Sequence, residues 1–186
     1  MANKDAAFGL KPIGKIGQNA DNNGLSEYDI AASATAIYFQ DPVEILATGT
    51  IGVAAASDLI LGSLNGVFFT DATTSKPTFA NHLDASNAAT DIKGFVTDDP
   101  YQRYEIQSDG ASEATDVGQN ADIVYAAGSS PDFVSKVELD ESDHKDATAQ
   151  LRIIGISKDP ENNTAGSANV NSVSYTHLTL PTILRV

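Results

Sequence analysis

The stretch "YQRYEIQ", residues 101–107, decides the fold class of this chain. Alternate side chains of an extended chain point to opposite faces of a sheet. Tyr104 and Ile106 therefore share one face, and the other face carries Tyr101, Arg103 and Glu105. This alternation predicts a β-strand with one buried face.

Similar short apolar runs recur along the chain, separated by Gly, Pro, Asn, Asp and Ser. They predict further strands at residues 26–31, 36–46 with a break at Pro42, 49–55, 65–70, 77–83, 92–97, 121–126, 133–139 and 151–157. No long stretch keeps the period of a helix, so the crossover helices of an α/β fold are not expected. We predict an all-β protein, either an antiparallel β-sandwich or a small β-barrel, with an extended N-terminal arm.

Adjacent Phe68 and Phe69 must point to opposite faces of their predicted strand. We expect one ring in the core, and the other against a partner or a second packed layer.

Composition excludes several classes of function. The 186 residues contain 11 Lys and Arg against 25 Asp and Glu, a formal net charge of −14, so nucleic acid is not an expected partner. There are no cysteines, which removes disulfides and thiolate chemistry. No run has the length of a membrane span or a signal peptide, so we expect no membrane association and synthesis in the cytoplasm without a secretion signal.

The first 16 residues also differ in charge from the rest of the chain. Residues 1–16 hold three lysines and one acid, whereas every other acidic residue lies between residue 17 and Glu161. We predict an extended arm over residues 1–16, followed by a single β-rich domain over residues 17–172. An ordinary frayed N-terminus is the alternative for the arm.

Two polar stretches raise the question of a metal. "NADNNG", residues 19–24, begins like a calcium loop, but Ile30 occupies the position where an EF-hand needs a bidentate Glu. "ELDESDHKD", residues 138–146, surrounds His144 with acids that attract cations, yet its ligand spacing is not diagnostic. We predict no metal ligand and no cofactor.

No catalytic pattern is present either. His82 and His144 do not lie near a nucleophile-elbow motif, and any two of the 25 acids are too generic a signal for glycoside hydrolysis. We therefore predict that the protein is not an enzyme.

Several stretches carry a resemblance to a known group. They are "MANKDAAFGLKPIG" at the start, "DPVEI" followed by "GTIGVA", "ILGSLNGVFFTDATTSKPTFAN" (60–81), "GFVTDDPYQRYEIQSDG" (94–110), "DVGQNADIV" (116–124) and "LRIIGISKDPENN" (151–163). Together they resemble uncharacterised virion structural proteins of marine tailed phages, over nearly all of residues 1–171. More distantly, the order of short strands is similar to capsid decoration, or head-stabilising, proteins.

The resemblance implies non-catalytic binding between major capsid subunits at the capsid surface of the virion. The implied partners are the major capsid protein or other virion proteins, and related decoration proteins often form trimers, so a homo-trimer is an expected assembly. An N-terminal segment of such proteins can add to neighbouring sheets, which implies a docking arm in residues 2–16. The implied arm residues are Lys4, Phe8, Leu10, Lys11, Ile13 and Lys15, with the lysines steering the arm toward an acidic shell.

Two other classes of function remain open. One is a head-fibre, tail-fibre or receptor-binding module that recognises host surface glycans. The other is a carbohydrate-active enzyme, which needs two facing carboxylates in a cleft.

The end of the chain differs from the rest. "VSYTHLTLPT", residues 173–182, resembles the translation of a sequencing-library adapter that reads through to a stop after Val186. We predict that residues 173–186 are a non-native tail, and that the strand beginning in "SANVN" (167–171) has lost its native remainder. The tail can then fill the open sheet position. A genuine terminal strand in "THLTLPTILRV" is the alternative.

Overall fold

A computed structural model describes residues 3–17, 24–142, 144 and 149–176. Most of the predicted calcium-like turn, Asp143, residues 145–148 and residues 177–186 lie outside these ranges. The strands are β1 (Lys11–Lys15), β2 (Ser26–Asp29), β3 (Pro42–Ile45), β4 (Ile51–Val53), β5 (Gly62–Thr70), β6 (Pro77–Ala80), β7 (Lys93–Thr97), β8 (Gln102–Gln107), β9 (Asn120–Ala121), β10 (Ile123–Val124), β11 (Glu138–Leu139), β12 (Leu151–Ile156) and β13 (Asn171–Thr176). A single 3₁₀ turn, η1 (Ala114–Asp116), precedes β9.

The strands form antiparallel sheets, which confirms the all-β prediction. The five-stranded sheet has the order β1-β8-β13-β12-β9, and the six-stranded sheet has the order β2-β7-β5-β3-β4 with β6 paired to β5. A short two-stranded sheet joins β10 to β11. Both large sheets are open: β1 and β9 are the edge strands of the five-stranded sheet, and β2 and β4 are those of the six-stranded sheet. The architecture is therefore a β-sandwich and not a closed barrel.

Each large sheet buries one face in a hydrophobic cluster. The cluster of the five-stranded sheet includes Tyr104 and Ile106 of β8, as the alternation in residues 101–107 predicted. Tyr104 is fully buried, and its hydroxyl donates a 2.8 Å hydrogen bond to the Thr97 carbonyl at the end of β7. The cluster of the six-stranded sheet centres on Leu64, Val67 and Val96.

Several predicted strands are shorter than expected, and two of them differ clearly. In residues 36–46 the ladder begins only at Pro42, and in residues 133–139 it is confined to β11. Phe133 has a positive φ of 52° and stacks on His82, with ring centroids 3.9 Å apart, so the chain is not extended there. Val137 and Leu139 nevertheless face the core.

The N-terminal residues lie against the chain's own sheet. Residues 3–10 have no regular secondary structure, and β1 pairs with β8. The Asn162 side chain binds both backbone groups of Lys4: its Oδ1 accepts from the Lys4 N–H at 2.9 Å and its Nδ2 donates to the Lys4 carbonyl at 2.8 Å. Gly9 has a φ of +76°, and a Cβ there would lie 2.4 Å from the Gln40 carbonyl oxygen, so only glycine suits this position.

Strand β13 occupies the middle of the five-stranded sheet, between β8 and β12. Its Ser172 and Ser174 pair with Ile106 and Tyr104, and their buried hydroxyls have no hydrogen-bond partner in the described part of the chain. Serines thus stand where apolar side chains would pack. Residues 173–176 of the predicted non-native tail fall in this strand, and their origin remains a prediction.

Candidate functional site

The outer face of the six-stranded sheet carries a cluster of three phenylalanines, of which Phe79 is largely exposed and Phe68 and Phe95 are half-buried. Strand register places them together, because Phe68 of β5 pairs with Phe79 of β6, and Gly66 of β5 pairs with Phe95 of β7. Phe69 points the other way and packs against the core, so the two adjacent rings face opposite sides as predicted. We call Phe68, Phe79 and Phe95 the aromatic patch.

The rings of the aromatic patch touch one another but leave much apolar surface in water. The centroids of Phe68 and Phe79 are 4.7 Å apart, and those of Phe79 and Phe95 are 6.4 Å apart. Phe79 is 74% exposed and nearby Leu25 is 42% exposed. Covering the exposed part of one such ring contributes on the order of 3 kcal/mol to binding before other costs.

A shallow groove of about 440 Å³ connects the aromatic patch to the edge of the other sheet. It is lined by Lys11, Ile13 and Gly14 of β1 together with Leu25 and Asn65. Leu25 and Asn65 also line a second depression of about 510 Å³ beside Phe79 and Phe95. The two hollows therefore form one surface that runs from β1 to the aromatic patch.

Charged groups border the aromatic patch on one side. The Lys93 ammonium lies 2.6 Å from Asp29 Oδ1 and 3.3 Å from Glu27 Oε1. The hydrogen bonds that Lys93 donates to Asp29 and, second, to Glu27 raise the Lys93 pKa, so this lysine stays charged. The patch thus has an apolar centre and a polar rim, which is the usual anatomy of a protein interface.

Of the predicted arm residues, Leu10 is fully buried in the chain's own core. The Ser63 hydroxyl donates a 2.6 Å hydrogen bond to its carbonyl. The prediction that Leu10 docks on a partner is therefore wrong, since this side chain already fills the cluster of the five-stranded sheet.

The other arm residues stay closer to the surface. Lys11 pairs with Glu105 at 3.0 Å and lies 5.7 Å from the Phe8 ring centroid, and Lys15 pairs with Asp99 at 2.7 Å. These contacts neutralise two of the three lysines within the chain. Ile13 is 39% exposed and Lys4 is also exposed, so both are open to a partner.

A second site lies where η1, which contacts β12 of the five-stranded sheet, meets the segment after β11. Asp116 of η1, Glu141 and His144 each offer one ligand atom, and these atoms lie within 4.8 Å of one another. The sequence singled out Glu141 and His144 but not Asp116. Asp116 comes 25 positions before Glu141 in the sequence, and no local pattern marks it.

The sequence indicated only one of the three residues of the aromatic patch. Phe68 was singled out because it adjoins Phe69, whereas Phe79 and Phe95 come from strands that looked ordinary. Their meeting depends on the order β7-β5-β6, which alternation within one strand does not specify.

In the described ranges, no helix has the length and apolar character needed to cross a membrane. Comparison of the chain with protein-family models, curated proteins and solved structures finds no match.

Proposed function

We propose that this protein is a non-catalytic structural component of a phage virion that decorates or stabilises the capsid. In this proposal it binds major capsid subunits through the aromatic patch. The observation that carries the proposal is the cluster of three rings on the outer face of the six-stranded sheet, with the 74% exposed Phe79 at its centre. The resemblance of residues 1–171 to phage virion proteins supplies the class of partner.

The chemistry of the patch favours a protein partner. Contiguous exposed apolar surface with a charged rim is typical of interaction sites. Phe79 stands at the centre and contacts both other rings, the position from which a hot-spot residue acts. A site of this size is small by itself, so repeated engagement of a symmetric shell would supply avidity.

The groove beside β1 extends the same surface. Lys11, Pro12 and a bulge between Pro12 and Gly14 occupy this edge, and these features discourage indiscriminate strand pairing. The arm therefore contributes through side chains such as Ile13, which lines the groove next to Leu25.

The direct test is capsid binding by a Phe79→Ser variant. Shells assembled from the major capsid protein of the same phage genome would be titrated with the purified chain. We expect Phe79→Ser to weaken binding roughly tenfold or more, because it removes the central ring. Its fold should be unaffected, since 74% of this side chain is already in water.

Leu59→Ser is the matched control. Leu59 is 84% exposed and lies outside the aromatic patch and its grooves, so its replacement should leave capsid binding unchanged. Equal affinities of the Phe79→Ser variant and the unaltered protein would contradict the proposal.

A fibre or receptor-binding module that recognises host glycans is the second candidate function. The exposed Phe79 ring on an open sheet face favours it, because such rings also stack on sugars. Binding of the isolated protein to a glycan array, with no affinity for capsid shells, would support this candidate over the first.

A further inference from the structure

We propose that Asp116, Glu141 and His144 bind a first-row divalent transition metal such as Zn²⁺. The three side chains come from η1 and from the segment after β11, which the fold brings together. This site is separate from the aromatic patch, and the inference does not depend on the proposed function.

The separations between the side chains suit metal ligation. Asp116 Oδ1 lies 3.6 Å from His144 Nδ1, and Glu141 Oε2 lies 3.5 Å from His144 Nε2. In a four-coordinate zinc site with bonds of 2.0–2.2 Å, neighbouring ligand atoms are roughly 3.3–3.6 Å apart. Glu141 Oε2 already lies at that distance from Nε2, whereas Asp116 Oδ1 lies beside Nδ1 and has to move toward Nε2 before three protein ligands meet one ion, with water as the fourth.

An unpartnered imidazole nitrogen points into this cluster. His144 Nε2 is shielded from solvent and has no hydrogen-bond partner among the described residues, although Glu141 Oε2 is near. A buried polar nitrogen without a partner is costly, and a metal bond would satisfy it. We assign Nε2 as the nitrogen ligand for this reason.

The two carboxylates are held in place by neighbours that leave oxygens facing the imidazole. The Ser112 hydroxyl donates to Glu141 Oε2 at 2.7 Å, and the Glu141 backbone N–H donates to Asp109 Oδ1 at 2.9 Å. Asp116 Oδ2 accepts the Glu113 N–H at 2.5 Å, so Oδ1 remains directed at His144. Such outer contacts orient ligands in established metal sites.

The charge of the cluster also favours a cation. Asp116 is only 8% exposed, so water screens its carboxylate little. Among the described ion pairs, His144 is the only cationic partner of either carboxylate. A divalent ion with two carboxylates and a neutral imidazole makes the site neutral. The imidazole nitrogen selects a transition metal over Ca²⁺ or Mg²⁺, which prefer oxygen ligands.

The alternative arrangement is a His144 that pairs with the two carboxylates, without metal. Metal titration distinguishes the two. The full chain, stripped with a chelator, would be titrated with Zn²⁺ by calorimetry and with Co²⁺ by visible absorption. We expect saturation at one ion per chain, a tetrahedral Co²⁺ spectrum and a higher melting temperature with Zn²⁺ but not with Ca²⁺.

Substitutions of the proposed ligands test whether they form the metal site. His144→Asn and the near-isosteric Glu141→Gln should each weaken Zn²⁺ binding roughly tenfold or more. His82→Asn is the matched control, because His82 also lies beside a carboxylate, 3.4 Å from Asp84, but has no second acid in a cluster of three. No saturable binding up to about 0.1 mM Zn²⁺, or undiminished binding by the folded His144→Asn variant, overturns the proposal.

Discussion

At the scale of single residues, ionisation of the Asp41 carboxyl opposes folding. It is fully buried, and burial raises its pKa from 3.8 to about 6, although the Ser135 hydroxyl and the Tyr38 N–H favour the ionised form. The Tyr38 N–H donates a 2.8 Å hydrogen bond to Asp41 Oδ2. A pKa raised in the folded state means that the protonated carboxyl stabilises the fold at low pH. That contribution is lost as the pH rises through about 6.

Asp41→Asn should remove this pH dependence. The amide keeps an oxygen for the Tyr38 N–H and never ionises. Relative to the unaltered protein, the variant should gain stability between pH 4 and pH 7, by up to about 3 kcal/mol. Urea unfolding at both pH values measures the difference. A constant offset between the two proteins at every pH would show that Asp41 is not the group responsible.

At the scale of elements, β13 carries buried serine side chains in the middle of the five-stranded sheet, where apolar side chains would pack. Ser174 faces Tyr104 across the ladder, with a buried hydroxyl that has no hydrogen-bond partner among the described residues. Ser174→Ala should raise the free energy of unfolding by about 1 kcal/mol, because an unpaired buried hydroxyl costs about that much. Denaturant melts of the two proteins provide the measurement.

Ser63→Ala is the matched comparison within β5. The same atom is removed, but here the hydroxyl donates to the Leu10 carbonyl, so the change should destabilise the protein by about 1 kcal/mol. Opposite signs for the two substitutions are expected. Destabilisation by both would mean that the Ser174 hydroxyl is satisfied after all.

The sequence predicted individual elements better than it predicted their partners. Period-two alternation marks Tyr104 and Ile106 as core residues, because it depends only on the strand itself. It missed β1, since the glycines and proline of that segment suggested a free arm. The Leu10 N–H donates to the Gln40 carbonyl and its own carbonyl accepts from the Ser63 hydroxyl, and these partners lie 30 and 53 positions later in the sequence. Local patterns carry no information about such distant contacts.

At the scale of the whole molecule, the two candidate sites belong to different sheets. The aromatic patch lies on the six-stranded sheet, and the Asp116, Glu141 and His144 cluster lies beside the five-stranded sheet. Each arises only when strands or turns far apart in the sequence meet, so neither was predicted in full. The division also means that metal binding and docking can be altered independently.

In the proposed function, the outer face of the six-stranded sheet docks on the capsid. A density map of the intact virion tests it most directly, with this chain located in the map. We expect Phe79 and its neighbouring rings to lie against a major capsid subunit. Finding the chain in a tail or head fibre, or on the capsid with Phe79 facing solvent, would contradict it.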